Sequence, residues 1–185
     1  QAGWCSGSLI NNTAQNCKPY FLTALHCGVA STTANMNQWK FYFRYEATAC
    51  TNPTTVGTLA SNFVTGCLRI ADSADGGGNS GSDFLLVKLG NANNENTVIN
   101  NLKSANFNAY WNGWNASPTP TTGGASIHHP AGDIKKISTF NGNIGCTARA
   151  MAANRPPIWP LLNPDGFAKK AGIGPPFTLS KPLAA

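Results

Sequence analysis

The chain has 185 residues, room for one medium or two small domains, and 42% of them are hydrophobic, so a real core is within reach. Only 11% are charged, with a balance of +6, against roughly 25% charged in a usual soluble domain. The cations form no stripe: Lys135-Lys136 and Lys169-Lys170 are the only doublets, so the basic balance reflects scarce acids and no nucleic-acid partner is expected. No run of about twenty apolar residues is present, which excludes a spanning helix, and no membrane association is expected.

Short strands between turns are expected through most of the chain, the pattern of an all-β sandwich or barrel. Trp4 to Ile10 is followed by an Asn11-Asn12-Thr13 turn, then by the apolar run Tyr20 to Thr23. Gln38 to Tyr45 alternates aromatics like a half-buried strand, and Gly57 to Ala71 gives one or two more. The glycine-rich stretch from Gly76 to Gly81 reads as a flexible loop, with a compact buried strand behind it at Phe84 to Leu89. A helical turn or two fits only within Ala92 to Asn106. Strands are then expected at Phe107 to Trp114, Ala125 to His129 and Ile134 to Phe140. Beyond about Cys146 the character changes: the last 39 residues hold seven of the twelve prolines and follow neither period 2 nor period 3.6. No ordered strand in the main sheet is expected from residues after about 147.

Six cysteines, at 5, 17, 27, 50, 67 and 146, show no C-x-x-C spacing, so they read as disulfide partners in an oxidising compartment and not as a zinc ribbon. The pairing of Cys17, Cys50, Cys67 and Cys146 stays open. Cys5 and Cys27 lie 22 residues apart, which suits a bridge across a hairpin, and that bridge would pin the loop carrying His26. At the end of the apolar run FLTALHCG, His26 fits a general base held on a rigid strand end. It fits equally a core-edge histidine beside a structural cystine. Adjacent histidines in a strand point to opposite faces, so His128-His129 with Asp133 is not expected to bind a metal. The sequons at Asn11 and Asn115 are read as turn chemistry.

The motifs CSGSLINN (Cys5 to Asn12) and YFLTALHC (Tyr20 to Cys27) resemble the trypsin-like serine peptidases, and more narrowly the bacterial lysyl endopeptidase group, with its C-x-G-S-L-[IV]-N-N and Y-F-L-T-A-x-H-C. The resemblance continues through SDFLLVKL (Ser82 to Leu89), YWNGW (Tyr110 to Trp114) and IHHPAGDIKKIS (Ile127 to Ser138), covering about residues 4–140. It implies a trypsin-like double β-barrel, with an N-terminal barrel at 1–90 carrying His and Asp. The start of a second barrel falls at 91–146, and 147–185 is a divergent or out-of-frame tail. It also implies a Cys5–Cys27 bridge, His26 as general base and Asp83, 57 residues later, as the carboxylate that holds its Nδ1–H. A secreted, monomeric bacterial peptidase acting on polypeptide follows, without cofactor or metal.

The nucleophile does not fall into place. Ser80 lies in a Gly-x-Ser-Gly string only three residues before Asp83, whereas a nucleophile must reach the other side of the His26 ring with an oxyanion hole of its own; Ser80 is not expected to serve. The family's serine stands in a G-[GS]-S-G-S-P segment ahead of P-L-[LF]-N-x-D-G. Here PLLNPDG begins at Pro160, and counting back puts Pro157 at the serine's place. Proline has neither a nucleophilic side chain nor an N–H to donate. The expectation is therefore a peptidase sequence that is inactive as this chain, its tail lost from frame or truncated. The alternative is a pseudoprotease retained as a binding module. The chain opens at QAGWCSGSL without a signal peptide, as after processing or from a start within a longer sequence.

Overall fold

The computed structural model describes residues 4–47, 49, 62–77, 82–114, 122–141 and 177–180. Nine strands are formed among them: β1 (Trp4–Leu9), β2 (Tyr20–Ala24), β3 (Lys40–Phe43), β4 (Phe63–Thr65), β5 (Cys67–Asp72), β6 (Phe84–Leu89), β7 (Gly123–His128), β8 (Lys136–Asn141) and β9 (Phe177–Ser180). Two short helices, α1 (Thr33–Met36) and α2 (Glu95–Lys103), complete the set with two 3-10 turns at Leu25–Cys27 and Pro130–Gly132. The all-β class is as expected. Pairing between these strands is antiparallel and gives one seven-stranded sheet, β4-β3-β9-β1-β2-β6-β5, and a β7–β8 hairpin. Closure into two barrels is not part of that pairing.

The end strands of the order, β4 and β5, are separated in sequence by Gly66 alone. Gly66 turns the chain at φ +83°, donates to the Trp39 carbonyl at 2.7 Å and accepts from Gly90 N–H at 2.8 Å. A Cβ there would lie 3.2 Å from the Asn37 carbonyl oxygen, so both the turn and the close approach call for glycine.

The core follows from alternation. Along β6, Leu85, Val87 and Leu89 are fully buried while Phe84, Leu86 and Lys88 between them are not, the period of a strand with one face inward. Phe21 of β2 and Phe41 of β3 meet edge to face at 5.0 Å between ring centres, and Trp39, Phe43 and Leu9 close the space around them with no exposure. Each such side chain contributes about 1.5–3 kcal/mol by leaving water. The expected helical turns at 92–106 are α2, which sets Val98 and Leu102, four residues apart, into the same cluster. α2 thus packs into the core of the main sheet although it follows the boundary expected at residue 90.

Two expectations need correction. Phe107 to Trp114 is not a strand; it crosses the end of β1, tied by Asn112 N–H to the Leu9 carbonyl at 2.9 Å and Trp111 Nε1–H to the Lys18 carbonyl at 3.0 Å. The reason is visible in its composition, where asparagines and a glycine interrupt the aromatics and favour local hydrogen bonding over a ladder. Second, the proline-rich tail does contribute an ordered strand: β9 lies between β1 and β3 and pairs with both. Four residues without proline suffice, because a slot with a backbone edge on each side satisfies a strand through its main chain alone. The rest of the tail, with Pro157 and Cys146, lies outside the described residues, as do Ser80 and Cys50.

Residues of the β7–β8 hairpin and its turn pack on the main sheet. His129 N–H donates to Ser6 Oγ at 3.0 Å, Lys135 N–H to the Tyr45 carbonyl at 2.9 Å, and Lys135 Nζ pairs with Glu46. No described helix is long and apolar enough to cross a membrane.

Candidate active site

The register of two strands builds the site. In the β2–β6 ladder Ala24 stands opposite Phe84, so the residues just past the end of β2 face those just before β6. The first are Leu25, His26 and Cys27 in a 3-10 turn, and the second is Asp83. Leu25 and Cys27 are buried at 2% and 8%, which turns the residue between them outward, and the His26 side chain keeps 55% of its exposure. Leu25 N–H donates to the Asp83 carbonyl at 2.8 Å, extending the ladder by one bond into the site.

Asp83 is 5% exposed and grips His26 twice. Its Oδ1 accepts the His26 backbone N–H at 2.8 Å and its Oδ2 lies 2.5 Å from His26 Nδ1. A buried carboxylate is costly without such partners, and the bonds to one residue's backbone and ring fix the imidazole plane. With Oδ2 as acceptor, the proton belongs on Nδ1, and Nε2 carries the lone pair. Among the described residues nothing is hydrogen-bonded to Nε2. The arrangement can take a proton from a group approaching the exposed side of the ring, with the carboxylate stabilising the cation that results.

Cys5 and Cys27 are disulfide-bonded, 22 residues apart, with Cα atoms 6.4 Å from each other. The bridge ties β1 to the turn beside His26. A His26 ring nitrogen and the two sulfurs lie within 4.8 Å of one another, yet the sulfurs are bonded to each other and offer no thiolate to a metal. Among the described cysteines Cys17 and Cys67 are free; burial pushes the Cys67 thiol up to about 12, against a smaller lowering by Arg69, so this thiol stays protonated and inert.

Of the glycine-rich stretch expected as a flexible loop, only Gly76 and Gly77 are among the described residues. Gly77, at φ +78°, lies so close to the site that a Cβ would sit 2.8 Å from His26 N and 3.1 Å from Asp83 Oδ1. Any side chain there would push His26 and Asp83 apart, so this glycine is pinned as a cover over the carboxylate. Asp75 holds it: its Oδ1 accepts Gly77 N–H at 3.1 Å and Ser73 Oγ–H at 2.6 Å, while its Oδ2 accepts Asp83 N–H at 3.4 Å. Arg69 adds a brace from β5, donating to the Gly28 carbonyl at 2.6 Å and to Asp72 at 2.7 Å; its side-chain hydrogen bond holds the Asp72 carboxyl below its ordinary value. Sequence reasoning missed Asp75, Gly77 and Arg69. The Ser-x-Asp-Gly-Gly pattern of a side-chain-capped turn was the signal available for the first two.

The other histidines stand apart from this site. His128 ends β7 and is 4% exposed; His129 is 5% exposed, with Nδ1 against the Asp133 carbonyl at 2.9 Å and its ring stacked on Tyr45 at 5.7 Å. At Asn11, the side chain accepts the Asn12 backbone N–H at 2.9 Å, the turn chemistry expected there. Asn115 lies outside the described residues.

Comparison with known proteins gives the chain's family. Residues 1–160 match the family model described as lysyl endopeptidase, C-terminal domain. Among curated proteins, the chain is similar to a lysyl endopeptidase of Pseudomonas aeruginosa, 26% identical over 171 residues, which cover 91% of this chain and 33% of that protein. It thus spans about a third of that relative's length. Matched over residues 1–160, the chain belongs to the lysyl endopeptidase C-terminal-domain family.

Proposed function

We propose that this chain carries the base and the orienting carboxylate of a secreted, trypsin-like serine endopeptidase acting on polypeptide. His26 takes and returns the proton at Nε2, and Asp83 fixes the Nδ1–H tautomer and stabilises the imidazolium. The single observation behind the reading is the 2.5 Å contact of His26 Nδ1 with Asp83 Oδ2, reinforced by the backbone bond to Oδ1. The nucleophile remains unassigned. Among the described residues no serine, threonine or cysteine side chain is hydrogen-bonded to His26, and the place expected for the serine is Pro157, so hydrolysis by this chain alone is not expected.

That proline favours a second reading, a pseudoprotease that keeps the peptide-binding surface without turnover. A serine-directed fluorophosphonate label on the purified 185-residue chain tests the assignment. No incorporation is expected; incorporation mapped to Ser80 would overturn the exclusion of that loop. Binding of a lysine-containing peptide without cleavage would favour the pseudoprotease.

A further inference from the structure

Asp83 occupies a backbone conformation, φ +51°, that residues other than glycine rarely adopt. Three of its anchors come from the His26 side: Leu25 N–H on its carbonyl and the His26 N–H and Nδ1 on its carboxylate. The bond at its own N–H comes from Asp75, eight residues back. The Asp75 carboxylate also accepts from Ser73 Oγ–H, from Gly77 N–H and from Ser82 N–H. Four donors therefore converge on one partly buried carboxylate and gather both ends of the glycine-rich segment. Ser73 N–H closes the base of that segment on the Phe84 carbonyl at 3.0 Å.

We propose that Asp75 is a positioning residue for the His26–Asp83 pair, holding Asp83 in its left-handed conformation and Gly77 against the Asp83 carboxylate. The proposal rests on the reading of His26 and Asp83 as base and orienting acid. Two consequences follow from the contacts. Asp75 fixes the direction in which the Asp83 carboxylate leaves the backbone, and hence the plane of the His26 ring. It also keeps Gly77 packed against Asp83, which is 5% exposed, and a drier carboxylate makes a stronger hydrogen bond to Nδ1. The charge state agrees: burial would raise the Asp75 carboxyl, but the bonds from Ser73, Gly77, Asp83 and Ser82 outweigh it and hold the group below its ordinary value. Asp75 is thus an anion held by these donors, and it acts on the site only through Asp83 and Gly77.

The test is the exchange of the His26 Nδ1 proton with water, followed by NMR on the full chain with ¹⁵N-labelled histidine and assigned by its disappearance in His26→Gln. In Asp75→Ala the exchange should quicken by about tenfold or more, the scale of one lost charge-assisted hydrogen bond. Backbone amides of the β2–β6 ladder should meanwhile stay within about twofold, which a general loss of fold would not allow. Asp75→Asn keeps the size but turns an NH2 toward backbone donors, and should quicken exchange likewise; it decides the matter if Asp75→Ala does not fold. A protected Nδ1–H that neither variant disturbs would overturn the proposal and leave the pair intact. An unprotected Nδ1–H in the unsubstituted chain would overturn the pair itself, and the proposal with it.

Discussion

His26 and His129 are both held by a contact at Nδ1, but with different partners and at different depths. His26 sits outside the core, its ring 55% exposed and bonded to a buried carboxylate. His129 is 5% exposed, stacked on Tyr45, with the Asp133 carbonyl at Nδ1. A carboxylate can balance an imidazolium and a carbonyl cannot do so fully, and an exposed edge can meet a substrate where a buried one cannot. Residue type is the same at both places; partner and access make one a candidate base and the other a packing residue that docks the hairpin onto β1.

Each of the two regions can be perturbed separately. The largest effect is expected from removing the Cys5–Cys27 bridge, which fastens the His26 turn to β1. Cys5→Ala with Cys27→Ala should cost about 3 kcal/mol for a closed loop of this size, read as a shift in the denaturation midpoint. A loss well under ~1 kcal/mol would show that the β2–β6 ladder alone holds the turn.

At the buried end, Ser6→Ala removes the acceptor for the His129 backbone N–H. Leaving a buried donor unsatisfied should cost about 1–3 kcal/mol while the His26 ring signals stay where they are. Movement of those signals would mean that the two regions are coupled through β1.

The smallest effect is a pH dependence from the neighbouring His128. Burial lowers this group below its ordinary 6.5, partly opposed by a backbone hydrogen bond with Ser126. The folded ring stays neutral where the unfolded one binds a proton, so stability should fall as pH drops from 6.5 through the lowered folded value. His128→Gln should flatten the melting temperature over that window; an unchanged slope would assign the dependence to other groups.

Much of this comparison was legible in the residues themselves. The alternation in Phe84 to Leu89 and the aromatics of Gln38 to Tyr45 encode strands whose inner face is the core. The motifs around His26 and Asp83 point to the pair that the ladder end brings together. The remaining features depend on contacts across the fold. Gly77 reads as loop flexibility because glycine permits φ > 0 anywhere, while its meaning comes from the 2.8 Å approach to His26 N. Asp75 reads as one acid among few, and only the folded chain shows four donors around it. The strand β9 was hidden for a different reason. Four residues in a proline-rich setting carry too little periodicity to announce a strand, and the slot between β1 and β3 is made by segments more than a hundred residues away.

The central claim, that Asp83 prepares His26 as a base, is tested most directly by the tautomer of the neutral His26 ring. A long-range ¹H–¹⁵N correlation spectrum of the ¹⁵N-histidine-labelled chain distinguishes the two ring nitrogens. The proton is expected on Nδ1 with Nε2 unprotonated, reversed or mixed when Asp83 is changed to Ala. A neutral His26 that carries its proton on Nε2 in the unsubstituted chain would contradict it.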